Sequence, residues 1–113
     1  MKVTVTERGG VIVVMPAGEV DLQTSPEVRR LLLDHLAQGR NLVVDLSGVS
    51  YIDSSGVASL VEGYQVARKG GRRFVLAQVG PAVLRVLQLA RLDRVFTILS
   101  TVDEGVAELT LAR

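Results

Sequence analysis

Apolar and polar positions alternate from the first residues, Val3-Thr4-Val5-Thr6-Glu7, with the period of two that marks a half-buried strand. Arg8-Gly9-Gly10 can reverse the chain. Val11-Ile12-Val13-Val14-Met15 then returns as a second strand, so the opening reads as a β-hairpin. Pro16 and Gly18 are expected to end that strand. Glu19-Val20-Asp21-Leu22 leads to a helix start, where Thr24 or Ser25 can cap, Pro26 suits the first turn and Glu27 adds early negative charge. Val28, Leu31, Leu32 and Leu36 carry the i, i+3, i+4 spacing of one buried stripe, and the helix should stop near Gly39. Leu42 to Leu46 is a continuous apolar run broken only by Asp45, the pattern of a strand covered on both faces.

A second helix is expected to begin at Ser54 or Ser55, with Val57, Leu60, Val61, Tyr64 and Ala67 on one face and Glu62, Gln65 and Arg68 on the other. Gly70-Gly71 ends it. Arg73 to Gln78 reads as the next strand. Gly80-Pro81 opens a third helix over Ala82 to Ala90, Val95 to Leu99 is a last strand, and Val102 to Leu111 a terminal helix with Val106 and Leu109 inward. The predicted order is β-β-α-β-α-β-α-β-α. It specifies an α/β fold: a mixed, mainly parallel sheet preceded by a β-hairpin, with four helices and right-handed crossovers. No linker, low-complexity tract or repeat divides the chain, so residues 1–113 are expected to form a single domain.

Composition narrows the function. Of 113 residues, 48% are hydrophobic but very few are aromatic, so the core must be built from Val, Leu, Ile and Ala. A net charge of +1 gives no global field toward DNA or an anionic membrane. The absence of cysteine excludes a disulfide framework and thiolate metal sites. No secretory hydrophobic region and no run of about 20 apolar residues occurs, so a cytoplasmic protein without membrane association is expected.

Little in the chain suggests catalysis or a cofactor. The sole histidine, His35, falls between Leu32 and Leu36 in the first helix and reads as a rim residue. Ile52-Asp53-Ser54-Ser55-Gly56 is not the G-x-S-x-G elbow of a serine hydrolase, and no phosphate loop or zinc motif is present. A metal site from Asp21, Asp45 and Asp53 is conceivable, but nothing in their spacing demands it. Arg68, Lys69, Arg72 and Arg73 form a basic cluster at the end of the second helix. Cations are favoured there in any case, and nucleic-acid binding would call for more aromatics or more charge.

Asp53-Ser54-Ser55-Gly56 stands out because it puts hydroxyls and a carboxylate at a helix mouth. The residues leave two roles open: a serine there can cap the helix, or it can be a phosphorylation switch. A phosphate adds about −1.5 to −2 charge, which the amide dipoles of the helix start tolerate and a docked partner does not. Asp53, with Asp21, would then lie near a new dianion.

The stretch Val43-Val44-Asp45-Leu46-Ser47-Gly48-Val49-Ser50-Tyr51-Ile52-Asp53-Ser54-Ser55-Gly56 resembles the signature of STAS domains, in particular of bacterial anti-sigma factor antagonists. Gly18-Glu19-Val20-Asp21 resembles an early G-E-[LI]-D segment of that family, and Gly80-Pro81-Ala82-Val83 its later S-P-x-[LV] helix start, with Gly80 in place of Ser. Leu92 to Ile98 resembles the approach to its last strand. The resemblance implies a binding protein, not an enzyme, with no cofactor. It implies that the chain engages an anti-sigma factor serine kinase when unmodified and is released when phosphorylated on Ser54, and that a PP2C-type serine phosphatase resets it. Asp21, Asp53, Ser54, Ser55 and Gly56 are the partner-binding positions carried over. The same resemblance admits an alternative, a non-switching STAS subunit of a lipid-transport ABC complex.

Overall fold

The computed structural model describes residues 1–111. Two strands, β1 (Lys2–Arg8) and β2 (Val11–Val20), pair antiparallel through the tight turn at Gly9-Gly10, where both residues have positive φ, as a hairpin turn of this length prefers. There follow α1 (Ser25–Ala37), β3 (Leu42–Asp45), β4 (Val49–Ile52), α2 (Ser54–Lys69), β5 (Phe74–Ala77), α3 (Pro81–Leu89), β6 (Thr97–Leu99) and α4 (Val102–Leu111). The sheet has six strands in the order β1-β2-β3-β5-β6, all parallel beyond the hairpin, with β4 pairing β2 off this path. The α/β class, the mixed sheet and the four helices agree with the sequence pattern.

The continuous apolar runs have a direct structural cause. Alternate residues of the central strands enter two separate cores. Ile12, Val14, Leu42, Val44, Phe74 and Leu76 face α1, α2 and α3, whereas Val11, Val13, Val43, Val75 and Ala77 face α4, where Leu109 is buried. Both faces are covered, so neither needs polar positions.

Three expectations need correction. First, β2 does not end at Pro16; it continues to Val20. Its first part pairs with β3 at Ile12–Val14 and its last with β4 at Gly18–Val20, so Pro16 falls between the two parallel partners. There a missing N–H is tolerated. Second, Val49–Ile52 is a strand, β4, not part of a connecting loop; at four residues it is too short for its pattern to separate it from the motif around it. Third, the inner face of α2 keeps the expected Leu60 and Ala67 but is otherwise made of small residues. Gly56, Ser59, Leu60, Gly63 and Ala67 are buried, while Val57, Val61 and Tyr64 lie half-buried at the flank. A Cβ on Gly63 would stand 2.9 Å from the Phe74 ring, so the helix sits too close to the sheet for larger side chains.

The remaining boundaries agree to within two residues, and α4 has the expected bounds. In α3, Leu84 is half-buried while Leu89 projects into solvent at 76% exposure.

Candidate functional site

The site forms where β2 and β4 end side by side. Val20 and Ile52 are register partners, so Asp21 and Asp53 leave the sheet together. The Asp53 amide donates to the Val20 carbonyl at 3.2 Å, which ties the start of α2 to the end of β2.

Asp53, not a serine, caps α2. Its backbone is extended, and its carboxylate accepts the amide hydrogens of Ser55 at 2.9 Å and Gly56 at 3.1 Å. Its carbonyl accepts the first intrahelical bond, from Val57, at 2.9 Å. Ser54 is therefore the first residue inside the helix, exposed, with its hydroxyl uncommitted to the cap. Of the two roles that the residues left open for a serine here, capping thus falls to Asp53, while α2 begins at Ser54 as expected. This cap also corrects the electrostatics, because the amides of Ser55 and Gly56 already serve the Asp53 carboxylate. A phosphate on Ser54 would add its charge beside that carboxylate instead of filling an empty ring of donors.

Ser55 is half-buried; its carbonyl accepts a hydrogen bond from the buried Ser59 hydroxyl at 3.1 Å. The same hydroxyl lies 3.3 Å from the Ser25 carbonyl at the start of α1, so one small side chain links the two helices. Gly56 is buried against the strand ends.

Asp21 organises the loop beside this mouth. Its carboxylate accepts the amides of Gln23 at 3.0 Å and Thr24 at 3.1 Å. The Thr24 hydroxyl accepts the Asp21 amide at 2.9 Å and donates to the Glu19 carbonyl at 2.7 Å. Thr24 thus occupies the N-cap position of α1 without capping it by its side chain; its hydroxyl points back into the loop. The Thr24 amide, helped by the Gln23 amide and opposed in part by desolvation, holds the Asp21 carboxyl below its ordinary value.

Two exposed apolar side chains border the site and were not singled out from sequence. Leu22, 74% exposed, rides on the loop that Asp21 and Thr24 brace, and Tyr51, 51% exposed, stands on β4 two residues before Asp53. Their exposure depends on the loop and on a strand that the pattern did not reveal.

His35 is not placed near Ser54. The contacts Ser25–Ser59 and Arg29–Glu62 run α1 and α2 side by side in the same direction, and His35 lies in the last turn of α1, toward the far end of α2. Asp45 is also drawn away, since its carboxylate accepts the Ser47 amide at 2.9 Å and the Gln78 side-chain amide at 3.2 Å. Among the described residues, no helix is long and apolar enough to cross a membrane.

A family model described as the STAS domain matches residues 2–105. An anti-sigma-B factor antagonist of Bacillus subtilis is 29% identical, over 80% of this chain and 83% of its own length. The anti-sigma-F factor antagonist RsfB of Mycobacterium tuberculosis is 30% identical over 91% of this chain and 84% of its own. A crystal structure of an anti-sigma factor antagonist from Mycobacterium paratuberculosis superposes with a TM-score of 0.87 at 30% identity, covering 96% of this chain and 92% of that one. With the strand-end geometry, the Asp53-capped helix and these matches together, the chain belongs to the STAS domain family, among the anti-sigma factor antagonists, which are regulatory binding proteins and not enzymes.

Proposed function

We infer that this protein is a cytoplasmic partner switch controlled at Ser54. Unmodified, it binds an anti-sigma factor that is also a serine kinase, and so frees a sigma factor. The kinase transfers the γ-phosphoryl group of ATP to the Ser54 hydroxyl oxygen, ADP leaves, and the modified chain lets go. A PP2C-type serine phosphatase hydrolyses the ester and restores binding.

The observation that carries this reading is the division of labour between Asp53 and Ser54. The aspartate holds the helix start, so the neighbouring hydroxyl is exposed and can be modified without unmaking the cap. A dianion then stands next to a fixed carboxylate, and the electrostatic change falls on the surface bordered by Leu22 and Tyr51. A partner fitted to a neutral serine meets like charge and a costly desolvation, while the fold is left intact.

Intact-mass measurement after incubation with an anti-sigma factor kinase and ATP tests it. The wild-type chain should gain one phosphate and Ser54→Ala none. Ser54→Ala should stay bound to the kinase in the presence of ATP, and Ser54→Asp should bind much more weakly than the wild type. Full phosphorylation of Ser54→Ala would move the site elsewhere, with Ser55 next in line. Stable co-purification with a membrane ATPase in place of a soluble kinase would overturn the switch altogether.

A further inference from the structure

The basic cluster at the end of α2 is not used by the switch. Within α2, Arg68 and Lys69 stand about 21–22 Å along the axis from Ser54. A hollow of about 680 Å³ runs from Val61, near the middle of α2, to this end, between α2 and the segment joining α3 to β6. Val61, Tyr64, Leu92 and Val95 give it an apolar lining, and Arg68 and Lys69 stand over it. It adjoins a second hollow of about 430 Å³, whose lining shares Tyr64 and Arg68 and adds Arg72.

Three features make this more than a solvated helix end. Val95 is a large apolar side chain left 42% exposed in the hollow. Tyr64 packs edge-on against the buried Phe96, with ring centroids 5.6 Å apart, which anchors one wall of the lining. No carboxylate lines either hollow, and among the described residues Arg68, Lys69 and Arg72 make no salt bridge, whereas Arg73 beside them is paired with Glu108 at 3.1 Å. Toward Ser54 the groove meets another hollow at Val61, Gln65 and Lys69, and the carboxylate there, Glu62, is already paired with Arg29 at 2.6 Å. In a chain with 12 acidic residues against 13 basic ones, the unpaired charge over this apolar lining is thus positive.

We propose that this groove is a second docking surface, for an acidic amphipathic segment of a partner protein, and that it works independently of the state of Ser54. Apolar side chains of the segment enter between Val61, Tyr64, Leu92 and Val95, and its carboxylates meet Arg68 and Lys69. The concave shape fits a peptide and not a flat anionic bilayer. A surface at this end can hold a partner while the other end of α2 is phosphorylated and released.

The test uses the full chain and two fluorescein-labelled amphipathic helical peptides of about five turns. They share one leucine-rich face; one carries glutamates on its flanks and the other lysines. Fluorescence anisotropy should show binding of the glutamate peptide only. Amide shift changes in the nitrogen-labelled protein should centre on Val61, Tyr64, Leu92 and Val95. The double variant Arg68→Glu/Lys69→Glu, at exposed positions, should lose at least tenfold in affinity for the glutamate peptide and gain binding of the lysine peptide. In the unaltered protein, raising the salt should weaken the complex severalfold. Ser54→Asp should leave all of this unchanged, so this outcome is separable from that of the switch. The proposal fails if the glutamate peptide does not bind, if its binding ignores the charge reversal or the salt, or if its shifts fall at the Ser54 end. It fails equally if phosphatidylglycerol vesicles, and not the peptide, bind in an Arg68- and Lys69-dependent way.

Discussion

Gly56 lies directly against Val20: a Cβ at Gly56 would stand 2.7 Å from the Val20 carbonyl oxygen and 2.9 Å from its Cγ1. The same carbonyl accepts the Asp53 amide. The first turn of α2 is therefore seated flush on the end of β2, the strand that leads into Asp21. The position of Ser54 relative to the Asp21 loop is set by backbone contact, not by long side chains that could adjust.

Gly56→Ala should strain this seat. The added methyl meets Ile52 Cγ1 at 2.5 Å as well as Val20, and backbone on one side cannot yield cheaply. The expected loss is about 1–3 kcal/mol, the usual range for overpacking a tight site. Urea unfolding followed by circular dichroism measures it. A loss near zero would mean that α2 tilts away freely, in which case Ser54 is not rigidly placed.

Asp53→Ala removes the acceptor for two amides at the start of α2. The expected cost is about 1 kcal/mol, and Asp53→Asn should recover most of it, because asparagine caps nearly as well. Amide hydrogen exchange at Ser55 and Gly56 should accelerate in the alanine variant. Unchanged exchange there would show that another group caps the helix.

How much of this was legible depends on what a side chain reveals about its neighbours. The hairpin, the α1 stripe at Val28, Leu32 and Leu36, and the doubly covered run from Leu42 could be read because large apolar residues mark buried faces by their spacing. The fourth expected member of the stripe, Leu31, is only half-buried, and Leu33 packs against the core in its stead. The inner face of α2 could not. Gly56, Ser59 and Gly63 are selected by closeness of approach, which no periodicity of hydrophobic residues encodes. The motif Asp53-Ser54-Ser55-Gly56 located the site, but its residue types suit several capping arrangements. Only the backbone geometry assigns the cap to Asp53 and leaves the Ser54 hydroxyl outside it. Pro16 misled for a related reason: a proline ends a strand only where its missing N–H is needed, and the change of partner from β3 to β4 removes that need.

The Asp21 loop should respond to acid. The Thr24 amide and its companions favour the charged carboxylate, so the folded pKa lies below the ordinary 3.8. The unfolded chain then binds protons more readily, and protonation opposes the folded loop. The contribution is fully present above 3.8 and is lost as the pH falls through the folded value. Carbon-detected NMR of the Asp21 carboxyl should give a midpoint below 3.8, with the Gln23 and Thr24 amides titrating at the same pH. Thr24→Val should raise that midpoint, because losing the hydroxyl's bonds to the Asp21 amide and the Glu19 carbonyl loosens the loop that presents the two amides. A midpoint at or above 3.8 would mean that the loop is open in solution.

Ser59→Ala isolates the link between α1 and α2. The serine is 5% exposed, and its hydroxyl lies within reach of the Ser55 and Ser25 carbonyls, so alanine removes a buried donor while keeping the small size that close packing requires. The expected loss is about 1 kcal/mol, the net worth of one such hydrogen bond. Because the Ser55 carbonyl is one acceptor, the first turn of α2 should loosen. Amide exchange near Ser55 should therefore rise more than at β3, which the substitution does not touch. Ser59→Val would separate packing from hydrogen bonding: it should cost clearly more than alanine, since branched bulk must then fit between two helices already in contact. If alanine and valine are equally tolerated, the helices are held apart more loosely than these distances describe, and the rigid placement of Ser54 loses one of its two supports.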